Sequence, residues 1–156
     1  MKAAEFTSLI PTCCAEVLDA MYFTTLLGSH TLAAIPKASH GGSLSYSLRF
    51  EGHISGRFGL YLEEGTARTL AANFLAEDEG TLSCPQIGEV AGELANMLCG
   101  SVMSQVEGDR KFILSHPQAG PFAPSDGLDD LLVSGLDTDC GPLTIWISVE
   151  GDQCHP

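Results

Sequence analysis

The chain has 156 residues, 44% of them hydrophobic and 17% charged, and its formal net charge is −13. These values predict one globular domain over residues 1–156 and exclude an intrinsically disordered chain. The elements predicted below place its ordered core at about 4–149 and a frayed tail at 150–156. The excess of acid argues against binding to nucleic acids or anionic membranes, and it favours a partner with basic residues around its own site. Solubility is the simpler explanation for most of these charges.

The sequence also carries signals about the compartment. The N-terminus lacks the long apolar run of a secretory signal, and no stretch approaches the roughly 20 apolar residues of a membrane span. No two cysteines form a Cys-x-x-Cys pair, and Cys13 and Cys14 are too close together for an ordinary bridge. We therefore expect a cytoplasmic protein whose six cysteines are free thiols.

The N-terminal part of the chain predicts a helix followed by an edge strand. Residues 4–27 have apolar positions at helical spacing, with Pro11 near the first turn and Gly28 as a natural end. Residues 30–38 predict a strand, and Pro36 restricts it to the edge of a sheet because proline cannot donate a backbone hydrogen bond.

The next segments predict a hairpin and a short helix. Apolar and polar residues alternate over 43–52 and again over 54–63, which favours two strands joined by a tight turn at 52–53. Residues 64–75 then read as a short helix, and 76–84 form an acidic loop.

The longest predicted helix spans about residues 85–106, with Pro85 suited to its first turn. Its apolar residues recur at helical spacing and form one stripe that consists of Ile87, Val90, Ala91, Leu94, Met97, Leu98 and Val102. At about 100° per residue, Glu89, Glu93 and Asn96 fall together on the opposite face, which we expect to be exposed to solvent.

Two glycines, Gly92 and Gly100, fall on this same face, one turn before and one turn after Asn96. Each costs about 0.8–1 kcal/mol relative to alanine in a helix interior. One explanation is that another backbone or protein surface approaches closely here, which suits docking and chemistry by a carboxylate and a carboxamide. The alternative is that Glu93 and Asn96 are ordinary solvated side chains, since this pair is common on helix surfaces.

The C-terminal part predicts a further strand and a closing hairpin. Residues 110–115 are a strand candidate, and 116–127, rich in Pro and Gly, are a loop. Residues 131–135 and 143–149 predict two strands around the turn at 137–141. Hairpins with short turns imply antiparallel pairing, so the whole order predicts an α+β fold with helices over one face of an antiparallel sheet.

The predicted long helix resembles the signature helix of the CheC/CheX phosphatases of bacterial chemotaxis. That pattern has an acidic residue or Ser, then Glu, then Asn, and a proline further along the chain. Here Glu89, Glu93, Asn96 and Pro117 match it.

The similarity extends over about residues 4–149, because 50–60 resemble the family's central hairpin and 66–75 the helix after it. The CheC type carries a second Glu-x-x-Asn on its first helix, where this chain has Glu16 and Asp19. Ionised aspartate cannot donate a hydrogen bond, so we expect no second site there. A single motif helix resembles the CheX type, whose members tend to be dimers.

The resemblance implies a phosphatase that hydrolyses the aspartyl phosphate of a CheY-like response-regulator receiver domain in two-component signalling. Asn96 would orient the attacking water, and Glu93 would dock the partner by pairing with its active-site lysine. Glu89 would add a weaker contact, and Gly92 and Gly100 would let the partner's loops approach. No metal or other cofactor is expected on this chain, while Mg²⁺ is expected in the partner.

Three other functions stay open. The first is a binding module that recognises a phosphorylated receiver without hydrolysing it. The second is a structural part of the flagellar switch, which the lack of sequence after residue 156 makes less attractive. The third is an unrelated α+β domain. Other chemistry finds little support: there is no Gly-x-Ser-x-Gly elbow and no phosphate loop, the five histidines are scattered, and we expect Cys99 to be core packing.

Overall fold

A computed structural model describes residues 2–36, 42–120 and 130–150. A 3-10 turn at Ala3–Phe6 precedes the first helix. The helices and strands then follow in the order α1 (Leu9–Tyr22), β1 (Leu26–Leu32), β2 (Ser43–Glu51), β3 (Ser55–Glu63), α2 (Glu64–Leu75), α3 (Cys84–Glu107), β4 (Ile113–Leu114), β5 (Gln118–Ala119), β6 (Leu131–Thr138) and β7 (Gly141–Val149), with a second 3-10 turn at Glu79–Thr81.

The strands described form one antiparallel sheet in the order β1-β6-β7-β3-β2-β4, and β5 also pairs with β2. The hairpin of β2 and β3 pairs Ser43 with Glu63 and Glu51 with Ser55. Helix α3 packs against α1, α2 and β2. The α+β architecture with long helices on an antiparallel sheet is therefore confirmed.

The main core lies between the helices and one face of the sheet. Alternate residues of the central strands point into it, among them Phe58, Leu60, Leu62, Leu143, Ile145 and Ile147. On the other face, the indole of Trp146 lies over Gly59, where any side chain would overlap the ring. The guanidinium of Arg57 lies 5.7 Å from the centroid of that ring, which is a cation–π distance.

The predicted bounds of four elements agree with the structure to within one or two residues at each end. Helix α2 matches its prediction at both ends, and α3, β2 and β3 differ only at their termini. These segments have strong local signals, because their apolar periodicity agrees with the surface that they bury. The closing hairpin is also confirmed, although β6 and β7 extend further toward their shared turn than predicted.

Both ends of the first helix were predicted wrongly, since residues 4–6 lie in a 3-10 turn and α1 begins only at Leu9. Helix α1 ends at Tyr22, where Phe23 takes a left-handed conformation with φ 49° and ψ 41°. Gly28 does not end the helix but lies inside β1. The strand predicted at 30–38 is in fact β1, which begins four residues earlier and ends at Leu32. It is an edge strand as expected, although Pro36 lies outside it. Its predicted last two residues lie outside the described residues.

Two other predictions need correction. The strand expected over 110–115 is reduced to β4, and the loop expected from 116 contains β5 at its start. Residues 121–127 of that loop, and the predicted tail after Glu150, lie outside the described residues. The five cysteines that the structure describes are free thiols, and Cys99 is buried in the core. In the described parts of the chain, no helix is both long and apolar enough to span a membrane.

The carboxyl group of Glu107, in the last turn of α3, holds the turn between β2 and β3. Glu107 is only 1% exposed, and its Oε2 accepts a hydrogen bond of 2.6 Å from the backbone N–H of His53. The other oxygen has no hydrogen-bond partner among the described residues, and the nearest cation is Arg110 with Nε at 4.0 Å. This contact joins the far end of α3 to the hairpin that carries β2.

We expect Glu107→Ala to lower the free energy of unfolding by about 1–3 kcal/mol, because the His53 N–H loses the buried carboxyl group that accepts its hydrogen bond. Glu107→Gln keeps an amide oxygen for that bond and removes a buried acid, so its stability should lie within about 1 kcal/mol of wild type. Urea denaturation of the three proteins tests this contact. Equal losses for both variants would show that the hydrogen bond to His53 does not hold the turn.

Candidate functional site

The position of every side chain along α3 is set by the way in which the helix begins. The hydroxyl of Ser83 accepts a hydrogen bond of 3.3 Å from the Gln86 N–H, and the Gln86 side chain accepts one of 2.8 Å from the Ser83 N–H. This is a capping box, and Pro85 lies in the first turn, where its missing N–H is harmless. The helix then runs without a break to Glu107.

The polar side chains of the predicted site lie on α3 as expected. Glu89 and Glu93 are exposed, and Asn96 is half-buried. The three side chains therefore border solvent, while Leu94, one residue after Glu93, is buried in the core. Asn96 is the member most restricted by its surroundings.

The glycines do not have the open surroundings that the sequence predicted. Gly92 is buried, and a Cβ placed on it would lie 3.3 Å from Cε1 of Tyr46 and 4.0 Å from Cβ of Pro117. A Cβ on Gly100 would lie 3.7 Å from Cδ1 of Leu114. A surface does approach closely here, but it belongs to this chain. The expectation that Gly92 lies on the solvent face is therefore wrong.

A bulge between β4 and β5, which both pair with β2, brings Pro117 to this contact. Ser115 pairs with Arg49 through two hydrogen bonds of 2.8 Å, and Gln118 pairs with Ser47. Two residues, His116 and Pro117, thus face the single residue between Arg49 and Ser47 on β2. A proline is tolerated at such a bulge because the ladder does not require its N–H there.

Asn96 lies between the two positions at which this edge segment meets α3. It is one turn after Gly92, which contacts Pro117, and one turn before Gly100, which contacts Leu114. Segment 114–117 and the Tyr46 ring therefore form one wall beside the amide. Pro117 was predicted as part of a motif, but this wall was not predicted, because the contact joins residues far apart in the chain.

The end of α1 meets α3 at Met97, the residue after Asn96. Tyr22 is buried, its ring stacks on Phe74 with centroids 4.9 Å apart, and its hydroxyl lies 3.8 Å from the sulfur of Met97. Burial, and secondarily the charge of the nearby Glu93, raises the pKa of Tyr22. The carboxylate of Glu93 is therefore close to the C-terminal end of α1. Sequence reasoning assigned Tyr22 no role.

The surface formed by α1 and α3 carries acid only. Neither helix contains Lys or Arg, and Glu16 and Asp19 on α1 are exposed, as are Glu89 and Glu93 on α3. Within the described residues none of these four carboxylates is in an ion pair. Such a surface attracts a basic partner. The described residues contain no group of three or more His, Cys, Asp or Glu placed to hold a metal ion.

A family model described as "Chemotaxis phosphatase CheX" matches residues 44–119, a segment that contains Glu93 and Asn96. No curated protein matches the sequence. Among solved structures, CheX from Desulfovibrio desulfuricans is 17% identical, with a TM-score of 0.73 over 94% of this chain and 99% of that one. CheX from Vibrio vulnificus is 20% identical, with a TM-score of 0.73 over 96% and 99%.

A third structure with this fold is a complex of CheX with CheY, BeF₃ and Mg²⁺ from Borrelia burgdorferi. It is 13% identical, with a TM-score of 0.69 over 94% of this chain and 98% of that one. The fold is thus that of the CheC/CheX chemotaxis phosphatases. The comparisons therefore show a CheX-like fold for this chain and a similarity to the CheX family over residues 44–119.

The two glycines of α3 should respond differently to alanine. At Gly100 a Cβ meets only an ordinary contact with Leu114, so Gly100→Ala should raise the free energy of unfolding by about 0.5–1 kcal/mol through helix propensity. At Gly92 the Tyr46 ring must move by a few tenths of an ångström, so Gly92→Ala should gain less or lose stability. Chemical denaturation measures both, and an equal gain at the two positions would contradict the Tyr46 contact.

Proposed function

We propose that this protein hydrolyses the aspartyl phosphate of a CheY-like receiver domain, with Asn96 as the catalytic residue and Glu93 as the docking residue. The observation that carries the proposal is the half-buried amide of Asn96 on α3, one turn after the exposed carboxylate of Glu93. The choice of substrate is supported by the phosphatase activity named for the matching CheX family model and by the complex of a similar CheX with CheY.

The reaction asks little covalent chemistry of the phosphatase. A water oxygen attacks phosphorus in line, the bond from phosphorus to the aspartyl oxygen breaks, and the receiver regains its carboxylate. The proton of the water passes to the departing phosphate or to solvent. Catalysis of such a transfer depends on positioning and on electrostatic stabilisation.

The amide of Asn96 suits this positioning. Its oxygen accepts a hydrogen bond from the attacking water, while its NH₂ group donates one to a phosphoryl oxygen. It does not take a proton at neutral pH, so its role is orientation rather than base catalysis. The half-buried position of Asn96 restricts its side chain, which lowers the entropy lost when water and phosphoryl group are aligned.

Glu93 is placed to bind the receiver. Its exposed carboxylate has no ion-pair partner among the described residues, so it is free to pair with a partner's lysine. Glu89, one turn earlier and also exposed, adds a weaker contact. Docking over this face would remove water from the charge pair, which strengthens it. The Mg²⁺ of the reaction belongs to the receiver, and this chain supplies no cofactor.

We expect Asn96→Ala to reduce the acceleration of phosphate release by at least about 100-fold, because the interaction is made only in the transition state. Asn96→Asp should be as inactive, since a carboxylate of the same size cannot donate and repels the phosphoryl group. The assay uses a purified receiver, phosphorylated by a small-molecule donor in the presence of Mg²⁺. Binding to a receiver loaded with BeF₃ and Mg²⁺ should stay within about threefold of wild type for Asn96→Ala.

Full activity of Asn96→Ala would remove Asn96 from the mechanism. If the wild-type protein binds the loaded receiver but does not accelerate phosphate release, the protein is instead a binding module. Testing several receivers from the same source guards against an unsuitable partner.

We expect Glu93→Gln to raise KM by about tenfold or more and to weaken the salt dependence of the reaction, because it removes a charge pair formed on docking. Glu89→Gln should have a smaller effect in the same direction. Glu16→Gln on α1 is the matched control, since it removes an exposed carboxylate from the neighbouring helix. A loss with Glu16→Gln equal to that with Glu93→Gln would show that only net charge matters.

A further inference from the structure

Phe23 occupies a position that does not suit it. It ends α1 with φ 49° and ψ 41°, and the Thr24 N–H donates to the Leu18 carbonyl across it, 3.0 Å away. At the end of a helix the residue in this left-handed conformation is usually glycine, because a Cβ is strained there. The end of α2 shows that no aromatic side chain is needed, since Ala76 takes the same conformation there.

The side chain of Phe23 is also in an unfavourable environment. It is 74% exposed, more than any other large hydrophobic side chain in the described parts of the chain. Met21, two residues earlier, is 43% exposed. Folding of this chain therefore gains little from the Phe23 ring, and the backbone at this point would be better served by glycine or asparagine.

The place of Phe23 links it to the site. It follows Tyr22 directly, and the Tyr22 hydroxyl contacts Met97 and lies near Glu93. The strained, exposed aromatic residue is thus next in sequence to a side chain that reaches the middle of α3, close to Glu93. The exposed carboxylates of α1 and α3 have no Lys or Arg beside them on either helix.

We propose that Phe23 is an apolar anchor that inserts into the receiver domain when Glu93 pairs with it. This inference rests on the proposed function and adds a second requirement for its partner. The receiver must offer an apolar depression bordered by basic residues, since an aromatic ring among carboxylates fits such a surface. Buried aromatic anchors supply a large share of the binding energy in protein interfaces, while surrounding charges set orientation.

The test compares Phe23→Asn with wild type. Asparagine tolerates the left-handed conformation, so the variant should unfold at the same temperature as wild type or higher. KM for the phosphorylated receiver and Kd for the receiver loaded with BeF₃ and Mg²⁺ should each rise at least about tenfold. The value of kcat should stay within about twofold, in contrast to Asn96→Ala, which lowers kcat.

The matched control is Ile113→Asn. Ile113 is 69% exposed and lies on β4, at the opposite edge of the sheet from β1. Its substitution should change KM and Kd by less than about twofold. A similar loss in both variants would mean that the effect is not specific to Phe23.

Unchanged KM and Kd in a folded Phe23→Asn protein would overturn the inference and leave the phosphatase activity standing. If Phe23→Asn does not fold, Phe23→Gly replaces it, since glycine is the usual residue at this position. Wild-type binding by Phe23→Gly would then overturn the inference. Wild-type protein that neither binds nor dephosphorylates any receiver would overturn both the proposed function and the anchor.

Discussion

The contact between α3 and β2 determines the form of the site. Gly92 has no side chain, so the Tyr46 ring of β2 lies against the helix, and the bulge at His116–Pro117 lies beside it. One flank of α3 is thereby fixed to the chain's own sheet. The other flank, which carries Glu93, stays open to solvent. Asn96 lies at the boundary between the two, where an amide is restricted by protein on one side and accessible from the other.

Most of the fold follows from local patterns in the sequence. Helix α2 and strands β2 and β3 have strong apolar periodicity that agrees with the surface they bury, and so their bounds were predicted well. The end of α1 was not, because Leu26 and Leu27 continue the apolar spacing of the helix. Its actual end depends on pairing between β1 and β6, a contact between distant parts of the chain. Phe23 gives no sequence signal for a left-handed residue, since glycine is the usual one.

Only part of the candidate site was predicted, because local patterns do not show contacts between distant parts of the chain. Helical geometry alone placed Glu89 and Glu93 on the exposed face, and the structure agrees. The same geometry put Gly92 in solvent, because it says nothing of what a strand or a bulge elsewhere in the chain will cover. The glycines did indicate a close approach, but the approaching surface could be identified only from the tertiary structure. The roles of Glu93 and Asn96 stay predictions.

The absence of Lys and Arg from α1 and α3 has a consequence for kinetics. Unpaired charges of one sign act over the Debye length, about 8 Å at physiological ionic strength, and therefore before two proteins touch. A basic partner would be turned toward this surface during its approach, which raises the association rate constant more than it slows dissociation. Under the proposed function the partner is a short-lived phosphorylated species, so the frequency of productive encounters would matter more than the lifetime of the complex.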